Sequence, residues 1–190
     1  MDHHATTPAL AGVVEAMRPF FGEEFGNPSS SHAWGRRAAD AVEQARARVA
    51  ALIGAGADEI VFTAGATESD NLALRGAVDA AARRHGGRFG SGHIITCAIE
   101  HEAVLETCEA MREEGWQITI LPVDHHGLID PDDVARAMTD RTVMVSLMMA
   151  NNEIGTIEPG AEGGRICRER GILLHSDAVQ AAGRVPIDVG

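Results

Sequence analysis

The strongest constraint on the fold is a repeated switch in hydrophobic period. The short apolar runs His93-Ile94-Ile95-Thr96, Trp116 to Leu121, Thr142 to Met149 and Ile172-Leu173-Leu174-His175 read as strands, the last of them buried. The third is apolar almost throughout, as a strand covered on both faces requires. Between them lie stretches with helical spacing. Ala38, Val42, Ala45, Val49 and Leu52 recur at three- and four-residue steps, and Gly54 to Asp58 ends that helix. Glu59-Ile60-Val61-Phe62-Thr63 reads as a further short buried strand, and the small-residue turn Ala64-Gly65-Ala66-Thr67 leads into a helix reaching about Arg84. Gly86 to Gly92 is expected to be a surface loop. Glu102 to Glu114 reads as a helix with Ala103, Leu105 and Met111 inward, Asp130 as the N-cap before Pro131, and Arg165 to Arg170 as a helix. Strands alternating with helices predict an α/β domain with a mainly parallel sheet. In such sheets ligands gather beyond the carboxyl ends of the strands.

Composition removes several functions. With 28 acidic and 16 basic side chains the formal charge is −12, and the scattered Arg residues offer no footprint for nucleic acid. No apolar run approaches the ~20 residues of a membrane span, and the opening MDHHATTP has no signal-peptide stretch. Cys97, Cys108 and Cys167 have neither metal nor disulfide spacing, so a reduced, cytoplasmic protein is expected. The adjacent pairs His3-His4 and His125-His126 point in alternating directions in extended chain, so no metal site is expected. Every basic residue is Arg. With no Lys, no side chain can form a Schiff base.

Four polar clusters fall at the expected strand ends. In Ala64-Gly65-Ala66-Thr67-Glu68-Ser69, small residues let backbone N–H groups approach an anion and a hydroxyl adds a donor; Thr67 capping the helix is the simpler alternative. In Glu100-His101-Glu102 the imidazole can stack on a planar ligand, move a proton, or merely cap a helix. The amides and carboxylate of Asn151-Asn152-Glu153-Ile154-Gly155 need partners, which the turn or a ligand must supply. In His175-Ser176-Asp177-Ala178-Val179-Gln180, Asp177 is expected to be at least half buried. An unpaired carboxylate there is expensive, and a cationic ring nitrogen or a capped turn would satisfy it.

In this order the clusters resemble the pyridoxal-phosphate-dependent cysteine desulfurases of the NifS/IscS type, in the class V aminotransferase family. The resemblance includes Asp2-His3-His4-Ala5-Thr6-Thr7-Pro8, Phe25-Gly26-Asn27-Pro28-Ser29-Ser30-Ser31-His32 and Ala66-Thr67-Glu68-Ser69-Asp70-Asn71-Leu72-Ala73. It continues through Glu100-His101-Glu102-Ala103-Val104-Leu105, Asn151 to Gly155 and His175 to Gln180. The resemblance implies a three-layer α/β/α fold, the partial large domain of an aminotransferase-like enzyme. Residues 1–12 would belong to a small domain or N-terminal arm, and residues 13–190 to an incomplete large cofactor-binding domain. By the same resemblance Ala66 and Thr67 hold the cofactor phosphate, and His101 stacks on the pyridine ring and shuttles protons. Asp177 pairs with the ring nitrogen, Gln180 bonds the phenolic oxygen, and Asn152 contacts cofactor or substrate carboxylate. The implied partners are a cysteine substrate, a second copy or a complementing C-terminal half, and a sulfur-accepting scaffold protein.

The departures are equally specific. The family's Schiff-base Lys follows a Ser-Gly-His segment beyond the equivalent of Val185 to Gly190, and its persulfide Cys lies further on. Neither is in this sequence, which reads as roughly the first half of a desulfurase, inactive alone. Gly160 and Gly163 replace larger apolar residues and are expected to loosen a helix start. A selenocysteine lyase or related small-amino-acid lyase would share the cradle, and a non-catalytic interaction protein is the alternative of another class.

Overall fold

The computed structural model describes residue 3, residues 6–84 and residues 92–190. Asp2, His4 and Ala5 of the opening motif, and the expected loop as far as residue 91, lie outside the described residues. The rest forms two compact units, one of residues 63–181 and one of residues 1–62 with 182–190.

Residues 63–181 contain the sheet. Strands β1 (His93–Cys97), β2 (Gln117–Leu121), β3 (Thr142–Ser146) and β4 (Leu173–His175) lie in the order β2-β1-β3-β4, and every pairing is parallel. Alternate side chains of these strands point to opposite faces. Ile94 and Met144 join one apolar cluster with Leu74, Val78, Val104, Cys108, Met111 and Trp116. Ile95 and Val145 join another with Leu121, Ile129, Val134, Leu147 and Cys167. The first cluster is closed by a continuous helical run, namely α3 (Ala66–Asn71), a π-helical segment (Leu72–Ala77) and α4 (Val78–Arg84), together with α5 (Glu102–Glu113). The second is closed by α6 (Pro131–Ala137) and α7 (Gly160–Arg170). This is the expected three-layer α/β/α arrangement. Each fully buried aliphatic side chain contributes about 1.5–3 kcal/mol, so these two clusters hold the strand ends rigidly.

Local signals read from the sequence reappear in this unit. Asp130 accepts a hydrogen bond from the Asp132 N–H at 2.9 Å, with Pro131 as the first helical residue. Helix α7 begins at Gly160, well before the expected Arg165. At Gly163 the helix packs closely, so that a Cβ there would stand 3.3 Å from Leu147 Cδ1, whereas one at Gly160 would meet nothing within 4 Å. In α5 the inward face is Ala103, Val104, Thr107, Cys108 and Met111, while Leu105 is only half-buried.

In the unit of residues 1–62 with 182–190, the described secondary structure is all helical and lies before residue 60. They comprise α1 (Ala11–Met17), a 3-10 turn (Arg18–Phe21), α2 (Ala33–Ile53) and a second 3-10 turn (Ala57–Glu59). Gly54 ends α2 in the left-handed conformation with φ 73°, its N–H donating to the Ala50 carbonyl. The expected stripe of α2 is only partly covered, for Val49 and Leu52 are exposed.

Two expectations fail at strands. Residues 59–63 are not a buried strand: Ala57–Glu59 is a 3-10 turn and Val61 is 68 % exposed. No strand among the described residues pairs with this segment, and the Arg46 guanidinium from α2 takes the Ile60 carbonyl instead. Strand β4 is not fully buried either, since Leu173 and Leu174 remain 40 % and 39 % exposed. Among the described residues it is the last strand of the sheet and pairs with β3 alone.

Candidate active site

Because all four strands are parallel, their carboxyl ends share one edge, and the loops that follow them are laced together there. The Met148 N–H donates to Glu100 Oε1 at 2.6 Å, and Asn151 Nδ2 donates to the Ile99 carbonyl at 2.8 Å, joining the ends of β1 and β3. The Met149 N–H donates to the Asp177 carbonyl at 2.8 Å, joining the ends of β3 and β4.

The turn before α3 braces itself. The hydroxyls of Thr63 and Ser69 are 2.6 Å apart, and the Ala64 N–H donates to Glu68 Oε2 at 2.6 Å. The N-cap is Gly65, with no side-chain cap, so Thr67 does not cap the helix. The N–H groups of Ala66 and Thr67 have no acceptor among the described residues, and the space a Cβ of Gly65 would enter is open. An exposed helix start with free N–H groups and an adjacent hydroxyl suits an anion.

His101 is exposed and is the N-cap of α5, its Nδ1 accepting from the Ala103 N–H at 3.1 Å. With Nδ1 an acceptor, the neutral ring carries its proton on Nε2. Capping fixes the ring without using up its second nitrogen. His101 and Thr67 line the same groove of about 430 Å³ between α3 and α5.

The two asparagines divide their tasks. Asn151 is buried, and its Oδ1 accepts from the N–H groups of Glu153 at 2.8 Å and Ile154 at 2.9 Å. Asn152 is half-buried, and its amide has no hydrogen bond among the described residues. Asp177 is 8 % exposed, and its Oδ1 accepts from the Val179 N–H at 2.9 Å. Gln180 follows one short turn later and is half-buried. The side chains of Thr67, His101 and Asn152 make no hydrogen bond to one another, so any coupling among them must come through a ligand.

Beneath these groups lie residues whose importance the sequence reading missed. Glu100 is buried, with Oε2 unpartnered. Burial, with the nearby charges of Asp177 and Asp70, pushes its carboxyl up to about 8 against the Met148 hydrogen bond, so it is mostly protonated at neutral pH. Asp70 is 4 % exposed and lies one turn inside α3. Its signal was available: Asp70, Leu74 and Val78 share one helical face, and a carboxylate at the head of an apolar stripe is conspicuous. The three thiols are buried. Burial, reinforced by Glu100, pushes Cys97 up to about 12, and burial pushes Cys108 and Cys167 to about 11.

The class V aminotransferase family model matches residues 1–190. The chain belongs to the class V aminotransferase family. Class V aminotransferases and cysteine desulfurases are pyridoxal 5′-phosphate enzymes. The chain is 48 % identical over 189 residues to the cysteine desulfurase IscS of Dictyoglomus turgidum, covering 100 % of this chain and 46 % of that protein. To the cysteine desulfurase IscS of Rickettsia felis it is 50 % identical over 190 residues, covering 100 % of this chain and 45 % of that protein. It therefore spans about half the length of these curated relatives. Among solved structures it is similar to SspA in complex with cysteine, with TM-score 0.91 and 39 % identity over 99 % of this chain and 52 % of the other. A NifS-like protein gives TM-score 0.90 and 37 % identity over 99 % of this chain and 50 % of the other. No described helix is long and apolar enough to cross a membrane.

Proposed function

We propose that this class V chain is the cofactor-cradling part of a cysteine desulfurase. In this reading residues 13–190 belong to the large pyridoxal-phosphate domain and residues 1–12 to an arm or small domain. The observation that carries the reading is the gathering of an uncapped helix start, an oriented imidazole, an unbonded amide and a buried carboxylate around one edge of a parallel sheet. When bound, the cofactor supplies an electron sink for cleavage at the substrate amino acid.

The chain's own residues divide the remaining work. The Ala66 and Thr67 N–H groups and the Thr67 hydroxyl bind phosphate, their freedom from internal partners leaving them available at no reorganisation cost. Asp177 binds the ring nitrogen and keeps a proton on it, which also relieves the cost of a buried carboxylate. Gln180 orients the phenolic oxygen. Asn152 offers its unbonded amide to a carboxylate, the substrate's or the cofactor's. His101 covers the ring and moves a proton at Nε2, with Nδ1 held by Ala103.

The sequence holds no Lys to anchor the cofactor, and its three thiols are buried, so the chain alone turns over no cysteine. A lysine and an accessible cysteine from outside these 190 residues complete the site. Exposed Val61, Phe62, Leu173 and Leu174 support such an association, either with a complementing half or within a dimer. In this reading the substrate is free cysteine and the product sulfur passes to an acceptor protein. The test is alanine and sulfide release from cysteine, measured with pyridoxal phosphate for the chain alone and after mixing with a C-terminal desulfurase segment. Turnover only in the mixture is expected. Turnover by the chain alone, or none with a segment that binds it, overturns the proposal. A lyase specific for selenocysteine would release selenide and leave cysteine untouched.

A further inference from the structure

Asp70 stands where a helix in contact with a sheet ordinarily carries an apolar residue. It heads the buried stripe continued by Leu74 and Val78, and its Oδ2 is buried without a partner. Its Oδ1 is 3.5 Å from Nε2 of His175, at the end of β4. The other ring nitrogen of His175 is 2.8 Å from the hydroxyl of Ser146, at the end of β3, and Ser146 is wholly buried. A carboxylate, an imidazole and a hydroxyl thus run in line from α3 to the ends of two adjacent strands. The hydroxyl is too deep to meet a substrate, so the row does not serve as a nucleophile and its base.

An apolar residue would serve helix packing at least as well, since replacing buried ionic groups with apolar ones is often neutral or stabilising. What the row does that leucine cannot is fix a direction. Asp70 lies one turn after Ala66 and Thr67, and His175 lies two residues before Asp177. The neighbouring residue Asn71 is also pinned, its Oδ1 accepting from the Thr107 hydroxyl of α5 at 2.9 Å. Successive residues of α3 therefore reach β4 and the helix that His101 caps.

We propose that Asp70, His175 and Ser146 are positioning residues that hold the phosphate end of the cofactor site in register with its ring-nitrogen end. This rests on the pyridoxal-phosphate reading above. The register matters because a rigid ligand anchored at both ends loses one contact when the ends shift.

The test compares binding of pyridoxal 5′-phosphate and of pyridoxal, which lacks the phosphate, to the chain and to its Asp70→Leu and Asp70→Asn variants, by calorimetric titration. Asp70→Leu completes the apolar stripe and should fold at least as well as wild type; Asp70→Asn keeps the shape if it does not. The expected result is about a tenfold loss of affinity for pyridoxal phosphate, the size of one charge-assisted contact, with pyridoxal binding changed less than about twofold. His175→Gln, which keeps a hydrogen-bonding side chain, should recover part of the loss shown by His175→Leu. Unchanged phosphate-ligand affinity in variants with wild-type melting temperature overturns the proposal, as does an equal loss for both ligands. If wild type itself does not prefer the phosphorylated ligand, the cofactor reading fails, and this inference fails with it.

Discussion

Replacing Glu100 by glutamine keeps the shape of the side chain and removes its charge. The carbonyl of the introduced amide can still accept the Met148 N–H bond that Oε1 now receives at 2.6 Å. In the folded chain the Glu100 carboxyl titrates at about 8, chiefly through burial, against an ordinary value of 4.5. A raised carboxyl contributes its full stability below the unfolded value and loses it as pH rises toward the folded one. The loss runs at about 1.4 kcal/mol per pH unit between those limits. From pH 5 to pH 8 the wild type should therefore lose up to about 3 kcal/mol that Glu100→Gln does not. The new amide also places a donor in a buried spot, at a cost of about 1–3 kcal/mol that is the same at every pH. The difference in slope, not the absolute stability, is thus the quantity to read. Urea unfolding of both proteins at pH 5, 6, 7 and 8 measures it, with other titrating groups common to the two cancelling. Curves that stay parallel within about 0.5 kcal/mol would show that Glu100 is not held neutral, and the reasoning from its burial would be wrong.

Other outcomes follow from single features. His93 is buried between the Thr142 and Thr119 hydroxyls, and burial, aided by Arg141, lowers its pKa. The unfolded chain binds that proton more readily, so the melting temperature should fall as pH drops below the ordinary histidine range, and His93→Gln should flatten the fall. Asp130→Ala removes the cap of α6 and should cost about 1 kcal/mol in urea unfolding. Ile95→Ala empties a fully buried position between β1 and the α6–α7 layer and should cost about 2–5 kcal/mol by the same measurement.

The strands read best from sequence where both faces were covered. The run at β3 and the pair Ile94-Ile95 are apolar because helices close both sides, and their pattern alone located the sheet. The segment 59–63 has a similar apolar run but no pairing strand among the described residues, and hydrophobic pattern carries no record of whether a neighbour is present. Leu173 and Leu174 mark the same blindness at the sheet's edge. At the site, the candidate residues were legible as polar clusters after apolar runs. Glu100 and Ser146 were not, because their roles depend on contacts across 48 and 29 positions of chain, to Met148 and His175, and for Asp70 the helical stripe marks a buried carboxylate but not its neighbour His175, 105 positions on. Asn151 and Asn152 are alike in sequence. Only the turn geometry shows that Asn151 accepts from the Glu153 and Ile154 N–H groups, while the Asn152 amide makes no hydrogen bond among the described residues.

The central claim is that this strand-end edge is a cradle for pyridoxal 5′-phosphate. Calorimetric titration of the purified chain with that compound tests it most directly, because no lysine is present to trap the ligand covalently at a side chain. Saturable one-to-one binding is expected, weakened by Thr67→Ala and by Asp177→Asn. Absence of saturation up to about 1 mM, where the binding free energy would be only about −4 kcal/mol, or binding indifferent to both substitutions, would contradict it.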